Sequence, residues 1–236
     1  MNYCILLSGG KGKRMGSNTP KQYLEILGHP LIYYSLKAFQ ESPLIDRIII
    51  VSSPNYENYF KGIIKEYNFD KVYGIAKAGQ ERYDSVFSGL SMIPNADISD
   101  ENVCLIHDGA RPLVTTDIIE NCVADALKYK ASVAAVKAKD TIKVANKEGF
   151  AIKTPDRASL YQIQTPQSFG LKLVIDAYKK MYEAQETNGV TDDAMVVSKF
   201  AGVDSFLTES SYKNIKATTP EDLAIIECFL SKNKTD

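Results

Sequence analysis

Short runs of consecutive apolar residues recur along the chain, each followed by a polar stretch rich in glycine, proline or serine. The clearest are Tyr3-Cys4-Ile5-Leu6-Leu7, Ile45 to Val51 and Asn102-Val103-Cys104-Leu105-Ile106; weaker runs lie at Lys71 to Ala78 and Ser132 to Val136. Runs of this length bounded by turn residues predict strands buried on both faces. Between them the apolar positions take helical spacing: His29-Pro30 through Phe39, Asn55 to Tyr67, Thr116 to Tyr129 (with Ile118, Ile119, Cys122 and Ala126 on one side) and Gly170 to Glu183. Alternating strands and helices predict an α/β fold, a mostly parallel central sheet covered on both faces. In such sheets ligands sit at the carboxyl ends of the strands.

One stretch breaks the alternation. Asp140 to Ala145 and Phe150 to Thr154 alternate polar and apolar residues around the turn Asn146-Lys147-Glu148-Gly149. This predicts a β-hairpin, spanning 137–156 with its flanks. A lone two-stranded hairpin is marginal in water, so its apolar side needs a partner, either its own domain or another subunit. The whole chain, 1–236, otherwise reads as a single domain, with Ser231 to Asp236 as a loose tail.

A net charge of −1 over 236 residues argues against a nucleic-acid or membrane partner. No apolar run approaches the ~20 residues of a membrane span, and the N-terminus lacks a signal peptide's regions. Cys4, Cys104, Cys122 and Cys228 are scattered, with no C-x-x-C. Only His29 and His107 could join them, so no zinc site is expected and a reducing cytoplasm is.

Positive charge is instead local. Ser8 to Tyr23 reads Ser-Gly-Gly-Lys-Gly-Lys-Arg-Met-Gly-Ser-Asn-Thr-Pro-Lys-Gln-Tyr, carrying Lys11, Lys13, Arg14 and Lys21 with no acid among them. Gly9, Gly10, Gly12 and Gly16 let backbone N–H groups approach a ligand closely. Bare amides with uncompensated cations are what a polyphosphate requires. The stretch is not a P-loop, which ends in Gly-Lys-Ser/Thr. Nor is it a dinucleotide fingerprint: its third glycine arrives one residue late, and no acid ends the second strand.

Three further segments follow strand-like runs. Gly79-Gln80-Glu81-Arg82-Tyr83-Asp84-Ser85-Val86 is a turn entering a helix, with Val86 and Leu90 on its apolar side; it suits a helix cap or a ligand acceptor. His107-Asp108-Gly109-Ala110-Arg111-Pro112 places a carboxylate just beyond a buried strand, where it must be paired or hold a metal. Arg111 is expected to pair with it or with neighbouring carboxylates and hold the turn, and His107 to be a hydrogen-bonded support. Near the C-terminus, Lys213-Asn214-Ile215-Lys216-Ala217-Thr218-Thr219-Pro220-Glu221-Asp222 reads as a short strand and then a helix start. Ile215 would point inward and Lys216 the other way.

Gly10, Gly12, Arg14, Met15, Pro20, Lys21, Gln22 and Tyr23 match the pattern G-x-G-x-R-M…P-K-Q. The chain thereby resembles the cytidylyltransferases that join CTP to a small polyol phosphate, in a Rossmann-like nucleotidyltransferase fold. It is most similar to the 2-C-methyl-D-erythritol 4-phosphate cytidylyltransferase family of isoprenoid precursor synthesis. The sister ribitol 5-phosphate enzymes are the alternative. Val190-Thr191-Asp192-Asp193-Ala194 and the Asn214-Ile215-Lys216 segment favour the first. Leu7-Ser8-Gly9-Gly10 and Tyr212 favour the second.

The resemblance implies roles. Arg14, Lys21 and Lys216 would act on the triphosphate as catalytic cations. Gly10, Gly12, Gly79, Gln80 and Ser85 would hold CTP, the last three at cytosine. Asp108 would face magnesium, the expected cofactor, and the α-phosphate. Arg82 would bond either the loop or the ligand. The hairpin would be a homodimerisation arm, with Thr141 and Arg157 completing the twin subunit's polyol-phosphate pocket. Thr165 and Thr191 would join them there, although Thr191-Asp192 also reads as an ordinary helix start. Such a reaction needs two polyanions brought together and charge stabilised in line, not a strong base. A CTP-binding sensor without transfer activity would have no use for this second constellation.

Overall fold

The computed structural model describes residues 1–10 and 20–232. Its strands are β1 (Tyr3–Leu7), β2 (Glu25–Ile26), β3 (His29–Pro30), β4 (Arg47–Ser52), β5 (Val72–Lys77), β6 (Val103–Asp108), β7 (Ala131–Lys137), β8 (Val144–Ala145), β9 (Ala151–Lys153), β10 (Tyr161–Gly170) and β11 (Phe206–Glu209). Its helices are α1 (Leu31–Glu41), α2 (Glu57–Glu66), α3 (Arg82–Leu90), α4 (Thr116–Tyr129), α5 (Leu171–Ala184), α6 (Asp193–Ala201) and α7 (Pro220–Lys232).

The apolar runs are continuous because each strand is covered on both sides. Cys4 and Leu6 of β1 pack with Ile48 and Ile50 of β4 on one face, beneath Leu36 of α1, Phe60 of α2 and Ile119 of α4. Tyr3 and Ile5 pack with Ile49 and Val51 on the other, beneath Val86 of α3, Tyr178 of α5 and Val197 of α6. Complete burial of a side chain such as Ile5 contributes about 1.5–3 kcal/mol. These residues specify strand positions before any long-range contact is considered.

The main sheet has seven strands in the order β11-β7-β10-β6-β1-β4-β5. All pairings are parallel except those of β10, which runs antiparallel to both β6 and β7. Leu7 stands in register with Val51 and Asp108, so the carboxyl ends of β1, β4 and β6 are level. The loops leaving β1, β5 and β6 therefore open onto one edge.

Several sequence expectations change here. β10 and β11 were not expected: β10 carries Pro166 and three glutamines, and β11 is only four residues long. A central proline is tolerated where the β10–β7 register shifts between Ile163 and Gln167. The expected strand around Ile215 does not form; Asn214–Thr218 is irregular and held by individual hydrogen bonds. Lys21–Tyr23 forms a 3₁₀ turn at the end of the glycine-rich stretch. α7 continues to Lys232, into the expected tail. The hairpin forms between β8 and β9 as a separate two-stranded sheet, with Phe150 71% and Ile152 64% exposed.

Candidate active site

A cleft of about 330 Å³ opens at the carboxyl ends of β1, β5 and β6. It is lined by Ser8, Gly9 and Gly10 after β1, Gly79 to Arg82 and Ser85 after β5, Asp108 and Ala110 after β6, and Lys21, Gln22, Lys216 and Thr218. Of the site residues expected from sequence, Gly10, Lys21, Gly79, Gln80, Ser85, Asp108 and Lys216 are brought together here. Gly12 and Arg14 lie outside the described residues.

Each wall has a local cause. Gln22 is buried and donates from Nε2 to the carbonyls of Ser8 (2.7 Å) and Gly10 (3.0 Å), fixing the start of the glycine stretch. The Tyr23 hydroxyl donates to the Ser8 carbonyl at 3.1 Å and accepts from Ser8 Oγ at 3.2 Å. Ser8 thus serves the packing beneath the loop. Gln22 is a supporting residue that sequence reasoning left as part of a motif; its burial had no local signal. On the second wall, a Cβ on Gly79 would collide with Asp84 Cβ and reach Ser85 N at 3.1 Å. Only glycine lets this turn fold so tightly onto the first turn of α3. The Ser85 hydroxyl accepts from Gly79 N–H (3.0 Å) and donates to the Glu81 carbonyl (3.2 Å), so it holds the turn as well as lining the cleft.

The third wall carries the charge. Asp108 ends β6 with Lys216 Nζ 2.7 Å from Oδ2 and Arg82 Nε 3.6 Å from Oδ1. Burial alone would raise the Asp108 carboxyl. Arg82, Lys216 and Arg111 outweigh it and hold the group well below the usual carboxylate range. Arg111 is not ion-paired to Asp108 as expected. Its NH1 donates to the Asn214 carbonyl at 2.8 Å, because the turn after β6 points the guanidinium at the Asn214–Thr218 segment. That segment is also tied by Ala217 N–H to the Ala110 carbonyl (2.8 Å) and by Asn214 Nδ2 to Gln164 Oε1 and the Thr165 carbonyl, both at 3.0 Å. Lys21 Nζ bonds the Ala217 carbonyl, so both lysines are anchored to one strip of backbone.

Beneath Asp108 lies a buried relay. Asp108 N–H donates to Thr165 Oγ1, Thr165 Oγ1 meets His107 Nδ1, and His107 Nε2 donates to the Arg111 carbonyl, each at 3.1 Å. The carbonyl fixes the proton on Nε2, leaving Nδ1 to accept from Thr165. Burial accordingly pushes His107 down to about 4, with the imidazole neutral.

The residues expected around the acceptor phosphate are not brought into the cleft. Thr165 is 4% exposed and bonded behind Asp108, because β10 carries it into the sheet. Thr191 is exposed before α6, with its hydroxyl donating to Met195 Sδ, while Asp192 caps the helix through Met195 N–H. Thr141 and Arg157 are exposed at the base of the hairpin; Arg157 NH1 donates to the Lys139 carbonyl at 3.1 Å.

Among the described residues no cluster of three or more His, Cys, Asp or Glu stands together. Asp108 is the carboxylate at the strand end. One carboxylate with substrate oxygens and water suits magnesium, which dedicated all-protein cages rarely hold. It does not suit zinc. No helix among the described residues is long and apolar enough to cross a membrane.

Comparison with known proteins agrees with this geometry. The family profile for 2-C-methyl-D-erythritol 4-phosphate cytidylyltransferase matches residues 3–232. A Lachnospira eligens protein of that name is 47% identical over 230 residues, covering 98% of this chain and 99% of its own. One from Clostridium kluyveri is 44% identical over 234 residues, covering 99% and 98%. The crystal structure of 4-diphosphocytidyl-2C-methyl-D-erythritol synthase from Anaerococcus prevotii superposes with a TM-score of 0.81 at 30% identity, over 97% of this chain and 95% of that one. The 2-C-methyl-D-erythritol 4-phosphate cytidylyltransferase of Francisella tularensis gives 0.80 at 28%, over 97% and 99%. Strand order, a cationic cleft at the strand ends and near full-length similarity converge: the chain belongs to the 2-C-methyl-D-erythritol 4-phosphate cytidylyltransferase family.

Proposed function

We propose that this chain joins CTP and 2-C-methyl-D-erythritol 4-phosphate, giving 4-diphosphocytidyl-2-C-methyl-D-erythritol and pyrophosphate for isoprenoid precursor synthesis. The observation that carries the reading is the meeting of Lys21, Lys216, Asp108 and the two glycine turns around one cleft. A phosphate oxygen of the acceptor attacks the α-phosphorus of CTP, and the bond to the β,γ-pyrophosphate breaks. The nucleophile is already anionic, so the chain supplies position and charge rather than a strong base. Lys21 and Lys216, with Arg14, face the triphosphate, while Gly10 and Gly12 bring backbone N–H groups to it. Gly79, Gln80 and Ser85 form the cytosine side, where carbonyls facing the exocyclic amine would oppose a uracil oxygen.

Asp108 is the residue that would hold magnesium, which when bound polarises and neutralises phosphate oxygens. For that, Lys216 transfers its contact from Asp108 to the phosphates. Thr141 on the exposed arm and Arg157 at its base support a homodimer in which they serve the twin subunit's polyol-phosphate pocket beside Thr191, with Thr165 contributing from behind Asp108. The 137–156 arm then belongs to a single-domain protomer. The free cysteines fit a reducing cytoplasm.

The ribitol 5-phosphate alternative is not favoured. The relatives above carry the methylerythritol name, Ser8 Oγ is bonded to Tyr23, and Tyr212 donates to the Lys137 carbonyl at the arm's base. Pyrophosphate release assayed with CTP and each acceptor tests the assignment. Turnover with methylerythritol phosphate is expected; turnover with ribitol phosphate alone would overturn it.

A further inference from the structure

One fully buried carboxylate close to the cleft is used by nothing described so far. Asp193, the first residue of α6, is 0% exposed. Its Oδ1 accepts from Arg82 NH1 (2.7 Å) and the Tyr178 hydroxyl (2.6 Å), and its Oδ2 accepts from Arg82 NH2 (2.7 Å). Its backbone N–H is fixed by Gln167 Oε1 at 3.0 Å. A guanidinium gripped at both terminal nitrogens has one orientation left. Here that orientation turns Nε toward Asp108 at 3.6 Å, opposite the oxygen that Lys216 holds. Charges alternate along the row Asp193, Arg82, Asp108, Lys216, and only its inner end, Asp193, is closed to solvent.

We infer that Asp193 is a positioning residue for cytidylyl transfer, acting through Arg82 to set where Asp108 and Lys216 stand. The inference rests on the reaction proposed above. With the Asp193 charge removed, Asp108 is the remaining carboxylate within reach of the Arg82 fork. Arg82 then turns onto it, displacing Asp108 and competing with Lys216 at the reacting end. The glycine turns that line the rest of the cleft keep their own bonds, so CTP still binds.

The expected result for Asp193→Asn, folded by circular dichroism, is kcat lower by about 10- to 100-fold with KM for CTP changed by less than about threefold. Arg82→Gln and the Arg82→Gln/Asp193→Asn pair complete a double-mutant cycle. If Asp193 works through Arg82, the double variant is no slower than Arg82→Gln alone. Multiplying losses, or a normal kcat in Asp193→Asn with only a lower melting temperature, would overturn the inference. A single variant that strands a buried charge can fail to fold. Tyr178→Phe then carries the test, since it removes one bond to the same carboxylate and keeps the ring. It is expected to lower kcat by about threefold at unchanged KM for CTP, and an unchanged kcat would overturn the inference. An inactive wild type would remove the proposed reaction and this inference together, whereas an active wild type with a normal Asp193→Asn removes the inference alone.

Discussion

The cleft and the hairpin arm hold their polar residues in opposite ways. Around the cleft, Gln22, Ser85, Asp108 and Thr165 are buried and hydrogen-bonded, Asp108 and Thr165 to groups far away in sequence. On the arm, Thr141, Lys143 and Arg157 are exposed, and Phe150 and Ile152 present apolar surface to water. As proposed, the difference is that one chain supplies a finished nucleotide side. The acceptor side, as proposed, lacks walls that a twin subunit would bring.

The largest expected effect breaks the finished side. Lys216→Ala removes a cation from the Asp108 oxygen and from the proposed triphosphate position, and is expected to lower kcat by about 10²- to 10³-fold. Lys21→Ala should act similarly. Steady-state rates check this, and near-normal turnover in both would unmake the assignment.

That side was also the more legible in sequence. Lys21, Gly79 and Asp108 stand just beyond apolar runs or beside a proline, where local pattern fixes the position; Lys216 was legible through its Asn-Ile-Lys motif, since the strand expected around it does not form. Their partners were not legible. Arg82 meets Asp193 across 111 residues, a pairing that no spacing rule contains. Asp193 reads as the first turn of a helix, which it also is. β10 was hidden because it holds Gln162, Gln164, Pro166 and Gln167; Gln164 bonds inward to Asn214 and Ser210, and Gln167 to the start of α6. Arg111 looked like the mate of Asp108 because they are three apart, but the turn between them sends it to Asn214.

A second prediction probes the support beneath Asp108. His107 is held neutral at about 4, below its ordinary 6.5, so between those values the unfolded chain binds the extra proton. Its contribution is complete above about pH 6.5 and is lost as pH falls through about 4, on the order of 3 kcal/mol in total. Asp108, with its carboxyl lowered, adds a loss only at more acid pH, below its unfolded value near 4. Urea unfolding of wild type and His107→Gln at pH 7 and pH 4.5 separates the two. The variant should be less stable at pH 7 and show a flatter decline.

The arm gives a smaller, more selective effect. Arg157→Ala should raise KM for the polyol phosphate by about 10-fold while CTP binding by calorimetry stays unchanged, the scale of one lost charged hydrogen bond. Ile152→Asp places a charge on the apolar side of the hairpin and should shift sedimentation from dimer to monomer. Its acceptor KM should rise with it. If the monomer retains a normal acceptor KM, the acceptor side is complete within one chain and the contrast drawn above fails.

The most direct measurement is a crystal structure with CTP bound. The account predicts the triphosphate between Gly10 and the two lysines Lys21 and Lys216, with cytosine against Gly79 and Gln80. CTP bound elsewhere, with Lys216 still on Asp108 and the cleft empty, would contradict it.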